Sequence, residues 1–549
     1  MRLSKAIFYT FLAPMLAGLL AVAEAPVGSH IWNPTPEAGR YRNPVLFADY
    51  SDPDVIRVGS DFYMVASSFD AVPGLPLLHS TDLVHWELIG HALHRQPPYD
   101  VYSSNHHGAG VWAPAIRQHK GEFYIFYPDP DYGIYMLKAP SIHGPWTEPV
   151  LIKAAKGWID PCPLWDEDGN AYLISGLAGS RAGVKNALIL SRMAPDGTKL
   201  LDEGTLIIDG HLQGETLEGP KIYRHGGYYY VFAPGGGVAK GYQLVYRSKN
   251  IYGPYESRVV LAQGKTSING PHQGAWVNTP KGEDWFLHFQ DRGPYGRVIC
   301  LEPMQWGADG WPHMGVNEDA KGKGEPVESY RLPAGLPVQN LAPPESDEFN
   351  GNHLGLQWQW QVNPQPSAAF MAPAVGALRL ISVPVEGFGA EEGVNLWNVP
   401  HVLMQKFPGP AFTVTTKVKF TTHFNGEETG LVVMGQSYST LSLVRISKKL
   451  HLVQRTRINA EKGGAETSSA PLPVQGDTFY LRATVSDKAV VNFFWSTDGE
   501  HFEAIGTPFT AIEGRWVGAK VGLYALGGSN VGELGYGDYD WFHIDPNKP

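Results

Sequence analysis

The chain has 549 residues, of which 43% are hydrophobic and 18% charged, and its formal net charge at neutral pH is −11. This length is too great for one hydrophobic core and predicts two or three domains. Aromatic residues make up 12% of the chain, and its 63 glycines and 44 prolines suit many short strands joined by turns rather than disorder. The acidic balance argues against nucleic acid or an anionic membrane as a partner and favours a neutral one.

The first 23 residues have the pattern of a secretory signal peptide. Arg2 and Lys5 precede an apolar run from residue 6 to about 21, and residues 21–23 form a small-x-small cleavage site. A membrane anchor is the alternative, but the run is short and contains Pro14. We therefore expect a secreted or periplasmic protein rather than one held in a membrane.

Two cysteines, Cys162 and Cys300, are the only ones in the chain. A single bridge between them is possible, but two buried free thiols are the expected state. A disulfide framework is excluded, because it would need more cysteines.

A pattern of roughly 50 residues recurs five times in the first half of the chain. Each copy begins with a polar or aromatic residue, has an apolar residue four positions later, and then passes through a turn glycine into an aromatic-rich strand. Units of three or four short antiparallel strands at this period are typical of β-propeller blades, so we expect five blades over about residues 40–315. The leading residues of the five copies are Asp52, Trp112, Asp160, Glu218 and His272.

These leading residues should surround one axial pocket, because the first strand of each propeller blade lines the central channel. Turn capping before proline could explain a single aspartate, but it gives no reason for Glu218 in the fourth copy. The carboxylates of Asp52, Asp160 and Glu218 would repel one another, so their pKa values should separate. Glycoside hydrolysis needs such a set, with one acid for the leaving oxygen and one base or nucleophile opposite.

Two aromatic residues, Trp112 and Phe69, suit the apolar faces of sugar rings, although packing between blades is their alternative role. A calcium site is a competing interpretation of the carboxylates, but the sequence has no Asp-x-Asp-x-Asp loop. Asp54 belongs to the first motif as well, but its alternating position points it away from the channel and predicts a structural role.

The motifs of the first half resemble those of glycoside hydrolase family 43, in particular its β-xylosidase and α-L-arabinofuranosidase branch with a C-terminal β-sandwich. The similar segments span the propeller half and read NPVLFADYSDPDVIRVGSDFYMVASSF, PGLPLLHSTDLVHWELIG, GVWAPAIR, GWIDPCPLWDEDG, LEGPKIYRHGGYYYVFAPGGG and FQDRGPYGRV. The resemblance implies hydrolysis with inversion, in which Asp52 is the general base and Glu218 the general acid. Asp160 would raise the pKa of that acid and orient it. Base and acid should then stand ~6.5–9.5 Å apart.

The resemblance also implies substrate-binding residues. Trp112 and Phe69 match aromatic walls of the terminal-sugar subsite. Arg292 matches an arginine that hydrogen-bonds substrate hydroxyls, with Arg297 as its rival. His272 matches a histidine near the channel centre, where some relatives hold a calcium ion through water, and a structural role is the alternative. No cofactor is required.

The second half of the chain has a different character. Residues 317–342 are charged and then Pro-rich, which predicts a surface linker after a catalytic propeller over residues 24–316. Residues 343–549 alternate apolar and polar positions between regular turns, which predicts an antiparallel β-sandwich. This part resembles the lectin-like (concanavalin A-like) domain of the same xylosidases. In relatives it packs against the propeller and can narrow the pocket; interdomain stability alone is the alternative.

The sequence therefore predicts an all-β, secreted, inverting exo-glycosidase that releases terminal β-1,4-xylose from xylo-oligosaccharides or arabinoxylan. An α-L-arabinofuranosidase or arabinanase as the main activity is the alternative within the family. A propeller that binds carbohydrate without catalysis, and a metal-dependent hydrolase centred on His272, are rivals from other classes. Sequence alone leaves the preferred sugar and the oligomeric state open.

Overall fold

A computed structural model describes residues 28–212, 216–389, 393–528 and 532–547. The predicted signal peptide over residues 1–23 lies outside these ranges and stays a prediction. The regular secondary structure of the described residues is almost entirely β-strand, arranged as a five-bladed propeller followed by a two-sheet sandwich, which confirms the predicted fold class. Both cysteines are buried free thiols, as expected. In the described parts of the chain, no helix combines the length and the apolar character that a membrane crossing demands.

Each blade is a four-stranded antiparallel sheet whose strands lie in chain order. A short strand, β1 (Arg40–Arg42), precedes the blades. Blade one comprises β2 (Asp54–Val58), β3 (Asp61–Val65), β4 (Gly74–Ser80) and β5 (Glu87–Leu93). Blade two comprises β6 (Ala115–His119), β7 (Glu122–Asp129), β8 (Gly133–Ala139) and β9 (Val150–Ala154). Blade three comprises β10 (Trp158–Trp165), β11 (Ala171–Leu177), β12 (Ala187–Met193) and β13 (Thr205–Asp209).

The last two blades follow the same order. Blade four comprises β14 (Lys221–His225), β15 (Tyr228–Gly235), β16 (Tyr242–Ser248) and β17 (Glu256–Ala262). Blade five comprises β18 (His272–Asn278), β19 (Asp284–Asp291), β20 (Arg297–Trp306) and β21 (Pro312–Met314). A one-turn helix, α1 (Gly179–Ala182), follows β11, and short 3₁₀ turns occupy Val101–Ser103 and Gly293–Tyr295.

A glycine closes the first hairpin of every blade in a left-handed backbone conformation. These glycines have φ values between +65° and +87° and are Gly59, Gly121, Gly169, Gly227 and Gly282. A residue with a Cβ atom is disfavoured there, which explains why glycine recurs at the same place in each repeat. The sequence repeat is therefore the repeat of the blades.

The predicted linker runs over the fifth blade and holds the N-terminal segment. Within it, β22 (Ser329–Arg331) pairs with β1, and the backbone N–H of Val327 donates to the buried carboxylate of Glu302 at 2.8 Å. The linker is thus an ordered strap rather than a loose tether. The exact domain boundaries given by the sequence pattern stay predictions.

The C-terminal half forms two packed antiparallel sheets. The first part supplies β23 (Gln359–Trp360), β24 (Ala369–Ala372), β25 (Ala377–Ile381), β26 (Leu403–Lys406), β27 (Phe412–Thr421), β28 (Glu428–Met434), β29 (Tyr438–Ile446) and β30 (Lys449–Arg457). The rest supplies β31 (Glu466–Ser468), β32 (Leu472–Pro473), β33 (Thr478–Val485), β34 (Val490–Ser496), β35 (Glu503–Thr510), β36 (Lys520–Leu526) and β37 (Tyr536–Asp545). Short 3₁₀ turns occupy Leu396–Asn398 and Ala460–Lys462. One sheet has the order β23-β26-β36-β28-β29-β30-β31, with β32 also on β30, and the other has the order β24-β25-β37-β27-β33-β34-β35.

Propeller and sandwich share one hydrophobic core. Phe47, Tyr295 and Val298 of the propeller lie in the same buried cluster as the inner faces of both sandwich sheets. Val72 and Trp360 exchange two backbone hydrogen bonds of 2.7 and 3.1 Å across the boundary. Because the buried apolar surface is continuous, the sandwich is packed against the propeller and not merely linked to it.

Candidate active site

One pocket at the end of the propeller channel collects side chains from all five blades. Its volume is about 960 Å³, including its open mouth. Its lining includes the five leading residues of the repeats, which are Asp52, Trp112, Asp160, Glu218 and His272. Phe69 lies in the wall of the same pocket. The blade geometry thus brings together the residues that the repeat had singled out.

The backbone of this pocket is strained at several non-glycine positions. Asp52, Phe69, Asp160 and Gln273 have φ values between +42° and +56°, in the left-handed region that such residues rarely adopt. Asp160 and Gln273 also sit where β10 and β18 lose register with their neighbours, in β-bulges. Bulges and left-handed residues re-aim side chains at functional sites, at a cost of roughly 1–3 kcal/mol for each strained residue.

Asp52 precedes β2 and is held by two donors. The Ser67 hydroxyl donates to its Oδ2 at 2.6 Å, and Nη1 of Arg297 lies 3.2 and 3.3 Å from its two oxygens. The guanidinium compensates the charge of this nearly buried carboxylate. Such a carboxylate, fixed and open to the pocket, can accept a proton from a water molecule.

Asp160 lies beside the backbone of Glu218. Its Oδ2 accepts the backbone N–H of Gly219 at 2.8 Å and the side-chain amide of Gln273 at 3.3 Å. Burial, with a further contribution from the charge of Asp52 and opposed by the Gly219 hydrogen bond, raises the pKa of Asp160 to about 6. Asp160 therefore carries its charge at neutral pH, next to the carboxyl of Glu218.

Glu218 is the carboxyl with the largest shift in this group. Burial first, and then the charges of Asp160 and Asp52, raise the pKa of Glu218 from 4.5 to about 8. About a quarter of its side chain still faces the pocket. A carboxyl that keeps its proton at neutral pH, opposite an ionised carboxylate, forms the acid–base arrangement that glycoside hydrolysis requires.

His272 is fully buried at the floor of the pocket. Its Nε2 lies 3.0 Å from Oε1 of Glu218, but neither ring nitrogen has hydrogen-bond geometry to a described partner. Burial, together with the charges of Arg297 and His288, lowers the pKa of His272 to about 3. The imidazole is therefore neutral, and it can act as a donor or acceptor but not as a cation.

The predicted substrate arginine needs a correction, because Arg297 and not Arg292 reaches the pocket. Arg292 is exposed, and its guanidinium lies 5.6 Å from the ring centre of Phe47 on the domain seam. The 3₁₀ turn Gly293–Tyr295 reverses the chain between the two arginines, so residue spacing could not decide between them. Asp54 is structural, as predicted, since it is buried and accepts from Ile116 N at 2.8 Å and Arg117 Nη1 at 2.5 Å.

The sequence pattern gave no sign of Trp516, which comes from the sandwich and lines the pocket. It is 44% exposed, has a φ of +65°, and packs on the propeller loop at Gly108, where a Cβ would collide with its ring and with Arg515. Trp112, whose indole N–H donates to the Gly108 carbonyl at 2.9 Å, belongs to the same part of the rim. The sandwich therefore supplies part of the pocket wall.

A second missed residue, Asp49, joins this wall to the catalytic centre. One oxygen of its buried carboxylate accepts the backbone N–H of Arg297 at 2.9 Å, and the other accepts that of Gly518 at 3.0 Å. Gly518 follows Trp516 by two residues, and Arg297 contacts Asp52. A single carboxylate thus positions the arginine beside the candidate base and the loop that carries the sandwich tryptophan.

The fold and the three carboxylates define an acid–base glycoside hydrolase, and comparison with known proteins agrees. Residues 41–312 match the model of glycosyl hydrolases family 43, and residues 346–545 match the concanavalin A-like C-terminal domain of β-xylosidases. The chain belongs to glycosyl hydrolases family 43.

Several curated or solved proteins are similar over most of the chain. A candidate β-xylosidase of Xylanibacter ruminicola is 38% identical, covering 88% of this chain and 86% of that protein. A β-xylosidase of Formosa agariphila is 33% identical, covering 96% of this chain and 93% of that protein. A non-reducing-end α-L-arabinofuranosidase of Bacteroides ovatus is 30% identical, covering 91% of this chain and 94% of that protein. A solved mutant of a family 43 protein from Bacillus licheniformis superposes with a TM-score of 0.80 at 27% identity, over 92% of this chain and all of that one.

Replacing the charge of Asp160 should shift the pH profile. In Asp160→Asn the pKa of Glu218 should fall, because one of the two negative charges that raise it is gone. Activity requires protonated Glu218 and is lost as pH rises through its pKa, so the basic limb of kcat/KM against pH should move to lower pH. We expect kcat to fall by about 100-fold as well. Asp168→Asn, an exposed carboxylate on the same blade, is the control, and an unshifted limb in Asp160→Asn would contradict this role.

Replacing Asp49 should impair the site from a distance. In Asp49→Asn the amide can satisfy only one of the two backbone N–H groups, and we expect kcat/KM to fall on the order of 10-fold to 100-fold through misplacement of Arg297 and Trp516. The measurement is a double-mutant cycle with Trp516→Ala. If Asp49 acts in part through the tryptophan, its replacement costs less in the Trp516→Ala background. Strict additivity of the two losses would show that it does not.

Proposed function

We propose that this family 43 enzyme releases terminal β-1,4-linked xylose from xylo-oligosaccharides by a single displacement with inversion. The observation that carries the proposal is one pocket that brings Asp52, which Arg297 contacts at 3.2 Å, together with Glu218, whose pKa burial and two neighbouring carboxylates raise to about 8. The names of the relatives of Xylanibacter and Formosa support xylose as the sugar. Trp516 narrows the pocket from the sandwich side, which favours the end of a chain over its middle.

In the proposed reaction the two carboxyls act on opposite faces of the sugar. Glu218 gives its proton to the glycosidic oxygen as the bond to the leaving group breaks, so that a neutral hydroxyl departs. Asp52 takes a proton from the water that attacks the anomeric carbon. Asp160, fixed through Gly219, keeps the proton on Glu218 until it is needed. The separation of ~6.5–9.5 Å between base and acid stays part of the proposal.

Hydrolysis of terminal α-L-arabinofuranosyl residues is the second candidate, and the name of the Bacteroides ovatus relative supports it. The two sugars share ring and hydroxyl features, so the same carboxylates would serve both. The walls that contact the non-reducing sugar, which include Phe69 and Trp112, would decide between them.

The mechanism predicts a leaving-group effect that separates acid from base. Glu218→Gln should lower kcat on xylobiose by about 1,000-fold and on a dinitrophenyl β-xyloside far less, because that leaving group departs without a proton. Asp52→Asn should fail on both, since each needs an activated water. ¹H NMR of the wild type should show α-xylose first, and an aryl α-L-arabinofuranoside run beside it tests the second sugar.

The exposed Glu167→Gln, on a turn of blade three, is the matched control and should behave as the wild type. Equal losses on both substrates in Glu218→Gln would contradict its role as the acid. First release of β-xylose would overturn inversion. Cleavage of neither sugar would favour a propeller that only binds carbohydrate.

We also propose that the floor of the pocket can hold a hydrated calcium ion through His272. Both imidazole nitrogens are buried, neither has hydrogen-bond geometry to a described residue although Nε2 lies 3.0 Å from Oε1 of Glu218, and the neutral ring can accept from a metal-bound water. Among the described residues, no group of three or more His, Cys, Asp or Glu is placed to ligate a metal directly, so contact through water is the form that fits. Calorimetric titration with CaCl₂ after chelation should show binding that His272→Ala abolishes. Equal binding by the variant would remove this site.

A further inference from the structure

The eight-stranded sheet of the sandwich has a second face, with both polar and apolar side chains, outside the main hydrophobic core. Leu431 and Leu441 point into the hydrophobic core. Glu428 and Thr440 are an odd number of positions from them along β28 and β29, and therefore lie on the opposite face. Arg455 pairs with Thr440 and shares that face. A cavity of about 1050 Å³, including its open mouth, lies over this face. It is as large as the active-site pocket and belongs to a different domain, and nothing in the proposed reaction uses it.

The floor of this cavity, here called the sandwich pocket, holds an ordered charged network. Arg455 donates from Nε to Glu428 at 3.1 Å and from Nη1 to Glu466 at 3.3 Å. The hydroxyl of Tyr524 donates to Glu428, and that of Tyr438 donates to Glu466 at 3.1 Å. Buried ion pairs of this kind add little stability over apolar residues of the same shape, so stability alone gives little reason for such a floor.

The chemistry of the pocket selects a neutral, hydroxyl-rich ligand. The Arg455 guanidinium already occupies the cation position between the two carboxylates, which leaves no place for a metal ion. The carboxylates of Glu428 and Glu466 are balanced by Arg445 and Arg455, so the lining has no net charge that would favour an ion over a neutral ligand. Sugar hydroxyls can donate to the carboxylates of Glu428 and Glu466 and accept from the part-exposed guanidinium of Arg455, all of which line the pocket.

One wall of the pocket can serve the apolar face of a sugar ring. The half-buried ring of Phe388 lines it, with the buried aliphatic side chains of Leu396 and Leu526 beside it. A mostly apolar cavity with a few convergent polar groups is the usual composition of a small-ligand site. The volume accommodates more than one sugar unit.

We propose that the sandwich pocket binds a segment of the neutral xylan-type polysaccharide whose chain ends the propeller hydrolyses. The inference rests on the proposed function for its choice of sugar. Because both sites are on one molecule, a chain held at the sandwich would raise the local concentration of ends at the propeller. The sandwich would then act on long substrates in addition to shaping the active site.

The test is affinity electrophoresis through soluble arabinoxylan, a probe that carries both candidate sugars, with Glu218→Gln as the non-cleaving background. Adding Phe388→Ala should weaken the apparent affinity about tenfold, as expected for loss of a stacking ring. Phe370→Ala, an exposed phenylalanine on β24 of the other sheet, is the matched control and should change nothing. Ser447→Ala removes an exposed hydroxyl that lines the pocket, at nearly constant shape, and should also weaken binding.

Kinetics keep this proposal separate from the proposed function. With Glu218 intact, Phe388→Ala should leave kcat/KM on an aryl β-xyloside unchanged while lowering it on arabinoxylan. Retardation equal to that of the control in both Phe388→Ala and Ser447→Ala would overturn the sandwich pocket, whatever the propeller cleaves. If Phe388→Ala lowers the thermal unfolding midpoint, the retardation of Ser447→Ala decides whether the pocket binds the polymer. If the wild-type protein does not hydrolyse an aryl β-xyloside, that outcome counts against the proposed function. It does not affect the electrophoretic test of arabinoxylan binding by the sandwich pocket.

Discussion

Closure of five blades around one axis is the constraint on which the site depends. Each inner strand contributes one leading residue, and only the ring closure places Asp52 of blade one opposite Glu218 of blade four in a common pocket. The hairpin glycines and the apolar strand positions serve that closure and recur in every repeat. The leading residue of each blade is not needed for this closure, so its type can differ from blade to blade and supply the catalytic and binding groups.

Burial turns three similar carboxyl groups into three different ones. Asp52 has an arginine and a hydroxyl as partners, and Asp160 has a backbone N–H and an amide. For Glu218, desolvation and the charges of Asp160 and Asp52 raise the pKa and outweigh the opposing charges of Arg297 and Lys185. Glu218 is therefore the carboxyl that keeps the proton that hydrolysis needs.

The sandwich contributes to the active site through packing, not only through proximity. The shared core around Tyr295 fixes the domain orientation, and Asp49 carries that orientation to Arg297 and to the loop of Trp516. A change in how the two domains pack would therefore displace Arg297, which contacts the candidate base Asp52. The same domain carries the sandwich pocket on the other face of its eight-stranded sheet, the site that we propose holds the polymer whose ends the propeller would hydrolyse.

The sequence by itself determined the fold class, the five blades, the sandwich and the set of leading residues, because hydrophobic period, turn glycines and repeats are local signals. It also separated Asp54 from the channel through simple alternation along the strand. It did not choose between Arg292 and Arg297, because a 3₁₀ turn intervenes and reverses the chain. It gave no sign of Asp49, Trp516 or the pairing of Glu428 with Glu466 through Arg455, since these contacts join residues far apart in the chain. Only tertiary packing decides such contacts, because they depend on how two separately patterned domains dock and on which strands become neighbours.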